Sequence, residues 1–207
     1  LVVTVGLNVM GRTPDGAFSI AASLMSMIYA LGDVSGAHFN PAVTLAILVS
    51  GRCPELTPAK AGKYMGAQIV GGMAAALTCS SIYNGASFKL GPGPGFGYSG
   101  VAIAEFVFTF LLCFVVLSVA VSAQTKNPTM FGLAIGSCLT CGINAIGAVS
   151  GGALNPAVAI GIATGHRLAD GSLAAAAIFS AMEIVAAIVA AGAFAITHPA
   201  VSEAIAK

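Results

Sequence analysis

Polar residues cut the chain into long apolar stretches, and within those stretches the polarity does not alternate. Residues 17–31, 64–83, 101–123, 130–149 and 173–197 are almost wholly apolar. Most approach the roughly 20 residues that a helix needs to cross about 30 Å of hydrocarbon. In lipid every backbone polar group must be satisfied within the protein, which leaves helices or closed barrels. A barrel would show segments of about ten residues with alternating polarity, and this chain has none. The pattern predicts an all-α membrane protein, a bundle of spanning helices. Ala and Gly are frequent in the stretches, which suits close helix contact in lipid. Residues 1–10 (LVVTVGLNVM) are apolar but too short to cross, and read as part of a first span that is truncated. They have neither the basic start nor the cleavage pattern of a signal peptide.

The connectors are short: residues 11–16, residues 124–129, and a longer Gly- and Pro-rich loop, NGASFKLGPGPGFGYSG, at 84–100. That loop divides a single domain, 1–207, into two similar halves, about 1–83 and 101–198. Ser35 to Val43 reads SGAHFNPAV and Ser150 to Val158 reads SGGALNPAV, with six of nine positions identical and the two Asn 115 positions apart. Apolar blocks recur at the same offset, so the chain contains an internal repeat.

Each Asn-Pro-Ala is followed by about ten apolar residues before a polar break, at Gly51-Arg52 and at Gly165-His166-Arg167. Ten helical residues reach about 15 Å, half the hydrocarbon thickness. Such a segment must enter the membrane and return to the side it came from. Three full spans lie between the two motifs, so the second copy enters from the opposite face. This is the inverted-repeat arrangement that puts a binding site at the midplane. Asn is a favoured N-cap and Pro suits the first helical position. Each half-helix then turns its positive dipole end, and an Asn amide, toward the centre of the membrane.

Composition narrows the function. The chain is 57% hydrophobic and 7% charged, where a soluble domain carries about 25% charged residues. Eight Lys and Arg stand against seven Asp and Glu, a net charge of +1. That excludes a cytosolic enzyme and a nucleic-acid binder. No Ser-His-Asp set, paired carboxylates or phosphate-binding glycine loop is present, so no enzyme activity is expected. The five Cys (53, 79, 113, 138 and 141) include a Cys138-x-x-Cys141 with no second pair or His beside it. No metal or other cofactor is expected.

The paired Asn40-Pro41-Ala42 and Asn155-Pro156-Ala157 resemble the signature of the aquaporin (major intrinsic protein) family. Glu105-x-x-x-Thr109-Phe110 and Ala67-Gln68-x-x-Gly71 match it as well, and the resemblance covers essentially the whole chain. It implies six transmembrane helices plus two re-entrant half-helices, one pore per subunit, and a homotetramer in the bilayer. In the family the opposed half-helix dipoles exclude protons and cations. The resemblance also implies that Glu105 accepts hydrogen bonds from the re-entrant backbone and that Gln68 supports the pore. His38 either lines the inner vestibule or packs as a neutral imidazole. The first re-entrant loop is cytosolic in the family. That places Arg52, Lys60, Lys63, Lys126 and Lys207 inside and Arg12, Lys89 and Arg167 outside, in line with the positive-inside rule.

Two departures matter. Water-selective members narrow the outer mouth with an aromatic, a His and an Arg. Here the corresponding set is Ile20, Ile143, Gly152 and Val158, without charge or aromatic ring. Val in place of the usual Arg also occurs in plant tonoplast intrinsic proteins, which the chain partly resembles. The second departure is Glu183, in a span that usually carries Gly and Pro at this point. An intramembrane carboxylate is costly, so Glu183 serves transport, or pairs with a backbone group or with a neighbouring subunit. The expected function is a passive channel for water and small neutral solutes such as glycerol, urea, ammonia or hydrogen peroxide. The alternative is a structural or partner-binding protein with a closed pore. The plasma membrane and an intracellular membrane, such as the vacuolar one, both remain open.

Overall fold

The computed structural model describes residues 1–167 and 173–200, and Lys207 lies outside the described residues. The elements are α1 (Val2–Met10), α2 (Gly16–Ser35), α3 (Pro41–Ser50), α4 (Pro58–Ile82), α5 (Tyr98–Val116), α6 (Phe131–Ser150), α7 (Pro156–Arg167) and α8 (Ala174–Thr197). A π-helical turn over Leu117–Val121 extends α5. No strand occurs among the described residues.

Among the described residues, five helices are long and apolar enough to cross a membrane: α2, α4, α5 with its π turn, α6 and α8. The chain is an all-α, multi-pass membrane protein. The nine residues of α1 cover about 14 Å.

Helix boundaries depart from the apolar stretches where capping sets them. α4 starts at Pro58, six residues before the apolar run at 64. Thr57 caps it, its hydroxyl accepting the N–H of Lys60 at 3.2 Å, and Pro58 fills the first turn. Its lysines at 60 and 63 are exposed, as charged heads at a membrane surface should be. α2 continues past residue 31 to Ser35 and ends on Gly36 in the left-handed conformation. The connector expected at 124–129 begins at Ser122, whose hydroxyl accepts the N–H groups of Gln124 and Thr125.

The repeat is visible in the backbone. α2 and α6 have equal length and the same 115-residue offset, as do the starts of α3 and α7. The connecting loops repeat the same torsion signs: Gly36, Ala37 and Phe39 have φ of 77°, 48° and 49°, and Gly151, Gly152 and Leu154 have 89°, 67° and 50°. α3 packs on α8 and α7 packs on α4, so each half-helix lies against the last span of the other repeat.

The α4–α7 contact is a backbone approach. A Cβ on Gly161 would stand 2.6 Å from the carbonyl oxygen of Gly72, and one on Gly72 would strike the carbonyl of Ala157. Small residues allow such approaches in lipid. Gly161→Ala is therefore expected to lower the thermal unfolding midpoint in detergent, overpacking costing about 1–3 kcal/mol. Gly62→Ala on α4 has nothing within 4 Å of the added carbon. It should be neutral or stabilising, since Ala exceeds Gly in helix propensity by about 1 kcal/mol. Equal midpoints for the two variants would refute the close approach.

Candidate functional site: the paired asparagines and the cavity they face

The two re-entrant loops carry non-glycine residues at positive φ: Ala37, Phe39 and Leu154. Each costs of order 1–3 kcal/mol and persists only where the surroundings hold it. The holding contacts run between the loops. Asn40 accepts the N–H of Ala42 on Oδ1 at 2.9 Å and donates from Nδ2 to the carbonyl of Leu154 at 2.7 Å. Asn155 accepts the N–H of Ala157 at 3.0 Å and donates to the carbonyl of Phe39 at 2.9 Å. Each side chain thus caps its own half-helix and ties its loop to the opposite one. A primary amide has two N–H donors. One crosses to the other loop, and the second is left for the cavity that both Asn residues line.

Two carboxyl groups hold the second loop. Glu105, fully buried, accepts the hydroxyl of Ser150 at 2.6 Å, the N–H of Ala153 at 3.1 Å and the N–H of Leu154 at 2.8 Å. Glu183, also fully buried, accepts the N–H of Asn155 at 2.7 Å. Its partner is a backbone group, which was one of the three alternatives open in the sequence.

Near the first loop, Thr44 is a hub that sequence reasoning missed. Its hydroxyl bonds the carbonyl of Asn40 at 3.0 Å and accepts from Gln68 Nε2 at 3.0 Å. The Nδ1 of His38 lies 3.2 Å from the same oxygen. Thr44 stands one helical turn after Asn40, where a hydroxyl can reach back to the i−4 carbonyl. That spacing was the available signal. His38 both lines the cavity and packs edge-on against Tyr64, with centroids 5.5 Å apart.

The cavity holds about 220 Å³. Ile20, Ile143, Gly152 and Val158 all border it, together with Asn40, Asn155 and His38. No Asp, Glu, Lys or Arg side chain is on its wall among the described residues, and the remaining lining is mainly aliphatic. The backbone and the neighbouring helix both call for glycine at 152. Its φ is positive, and a Cβ there would meet the Cα of Ile143 at 3.2 Å. The missing side chain therefore makes room for α6. Ala120 and Val121, on the π turn, border the cavity as well. All five cysteines are free, and Cys53 touches the cavity wall.

The sequence profile described as Major intrinsic protein matches residues 3–161 and, again, 96–206. The rice protein Aquaporin NIP1-4 (Oryza sativa subsp. japonica) is 38% identical over 149 residues, covering 72% of this chain and 53% of that protein. Probable aquaporin AqpM of Archaeoglobus fulgidus is 34% identical over 175 residues, covering 79% and 69%. The chain spans about half the length of the plant relatives it matches. The X-ray structure of the aquaglyceroporin from Plasmodium falciparum superposes with a TM-score of 0.74 at 20% identity, covering 93% of this chain and 87% of that one. At that identity the likeness concerns the fold.

Proposed function

We propose that this chain, which belongs to the major intrinsic protein family, forms a passive transmembrane pore for water and small neutral solutes such as glycerol, urea, ammonia or hydrogen peroxide. The reading rests on one observation: two opposed half-helices whose Asn amides each donate to a backbone carbonyl of the opposite loop and share one mainly apolar cavity. A neutral molecule there loses its solvent partners and meets two N–H donors and two positive dipole ends. An oxygen or nitrogen lone pair is accepted, and a cation is repelled. Water held through its oxygen turns its hydrogens outward, so a continuous proton wire is interrupted.

The wall set by Ile20, Ile143, Gly152 and Val158 offers neither a charge nor a ring for fine selection, which favours a broad range of small neutral solutes over water alone. The two repeats make one channel domain, and four copies assemble with one pore in each. Transport runs downhill. Stopped-flow shrinkage of proteoliposomes tests the reading. Water or glycerol permeability should rise above that of empty liposomes without any ionic conductance. No gain for any neutral solute would overturn it and leave the closed-pore alternative.

A further inference from the structure

Three consecutive backbone N–H groups, of Ala153, Leu154 and Asn155, converge on the carboxyls of Glu105 and Glu183. The two acids are not equally supplied. Glu105 has donors on both oxygens: Ser150 and Ala153 on Oε1, Leu154 on Oε2. Glu183 has the single donor of Asn155 on Oε1, and its Oε2 is buried without a donor. The N–H groups that hold the two carboxyls belong to adjacent residues of one loop, Leu154 and Asn155, which sets the Glu105 and Glu183 side chains next to each other.

Two ionised carboxylates are acceptors only and repel each other, so two held side by side in an apolar bundle favour a hydrogen on one of them. The donor pattern decides which. Glu105 is matched as an anion, with three donors. Glu183 is matched as an acid, with one acceptor oxygen in use and one oxygen lacking a partner. A single charge then remains in the apolar bundle instead of two adjacent ones, which is the less costly arrangement.

We infer that Glu183 is a positioning residue: it carries a hydrogen on Oε2, donates it to the Glu105 carboxylate, and holds the N–H of Asn155 on Oε1. The acid pair thereby fixes the residue that caps α7 and aims its amide into the cavity. The buried hydroxyls of Thr109, one turn from Glu105 on α5, and Ser180, one turn from Glu183 on α8, also lack partners. The alternative source of a partner for Oε2 is therefore a bridging water with both acids ionised.

The inference rests on the pore reading only in assigning Asn155 a transport role, and its main readouts are independent of transport. Glu183→Gln, Glu183→Leu and Glu105→Gln are made in the full chain. Unfolding midpoints are measured in detergent, with infrared spectra in H2O and D2O. In wild type an acid C=O band that shifts in D2O is expected, and Glu183→Gln should abolish it. That variant should keep the wild-type midpoint, because the Gln N–H replaces the acid O–H and its oxygen still accepts from Asn155. Glu105→Gln turns an NH2 group toward one or two of these donors, whichever way the amide lies, and should lower the midpoint clearly, or fail to fold. Glu183→Leu should do likewise by stranding the Asn155 N–H.

Absence of the band in wild type would overturn the assignment in favour of the water-bridged pair. Survival of the band in Glu183→Gln, or a Glu183→Gln as damaged as Glu105→Gln, would overturn it too. Unchanged solute flux in a folded Glu183→Leu, with the band behaving as expected, would retain the shared hydrogen and remove the positioning role. Wild type with the band but without flux would refute the pore reading alone.

Discussion

Asn155→Leu is expected to slow permeation of water and small solutes by about five- to 150-fold per inserted protein. The wild-type amide presents its free N–H where the cavity wall is mainly aliphatic. A permeant that loses this donor has an unmet polar group in an apolar setting, which costs roughly 1–3 kcal/mol on mutational scales. As an added barrier that is the stated range of rates. The substitution also removes the bond to the Phe39 carbonyl and the cap on Ala157. Losing an N-cap costs about 0.5–2 kcal/mol of stability, so flux must be normalised to protein that is correctly inserted and helical. Asn40→Leu should act in the same direction, since its bonds mirror those of Asn155. Stopped-flow flux equal to wild type in well-inserted protein would take these residues out of the pathway.

The fold was legible because lipid leaves a chain few options. Unbroken apolar runs required helices, and a ten-residue run after Pro41 could not cross. A nine-residue segment that recurs with six identities at a fixed offset announced the second copy. The relatives and the superposable structure agree with that architecture.

What stayed hidden depends on groups the sequence does not pair. Asn40 and Asn155 were readable as caps, since capping is local, but their donors go to carbonyls 114 and 116 residues away. Glu183 was conspicuous as an expensive residue, yet its partner is a backbone N–H 28 positions earlier, and backbone groups have no letter in the sequence. The π turn at 117–121 shifts the hydrogen-bond ladder by one residue without any change of composition. The backbone role of Gly152 was hidden for a related reason. Whether a missing Cβ opens space toward a lumen or toward a neighbouring helix is decided by φ and by where α6 passes, and neither is a property of the residue type.

Val158→Arg is expected to lower glycerol permeability relative to water by roughly tenfold, equivalent to about 1.4 kcal/mol of added barrier. Val158 is 3% exposed, borders the cavity with Ile20, Ile143 and Gly152, and lies in the first turn of α7, its N–H bonded to the Asn155 carbonyl. An Arg there brings a planar fork of donors and a fixed charge. The N-terminal dipole of α7 is unfavourable to a cation, which drives the guanidinium away from the helix end and into the opening. The room it takes is lumen, because the space beside Gly152 is already occupied by α6. Water, the smaller permeant, can pass a narrowed opening while bonding to the guanidinium. Glycerol and urea must squeeze past it, and their flux should fall further. Ammonia flux should fall relative to water as well, because a cationic edge replaces an apolar one. The glycerol-to-water ratio measured on matched proteoliposomes decides the matter. A ratio that is unchanged or higher in a folded Val158→Arg protein would mean that position 158 does not border the constriction, and that selection among neutral solutes is made elsewhere along the cavity.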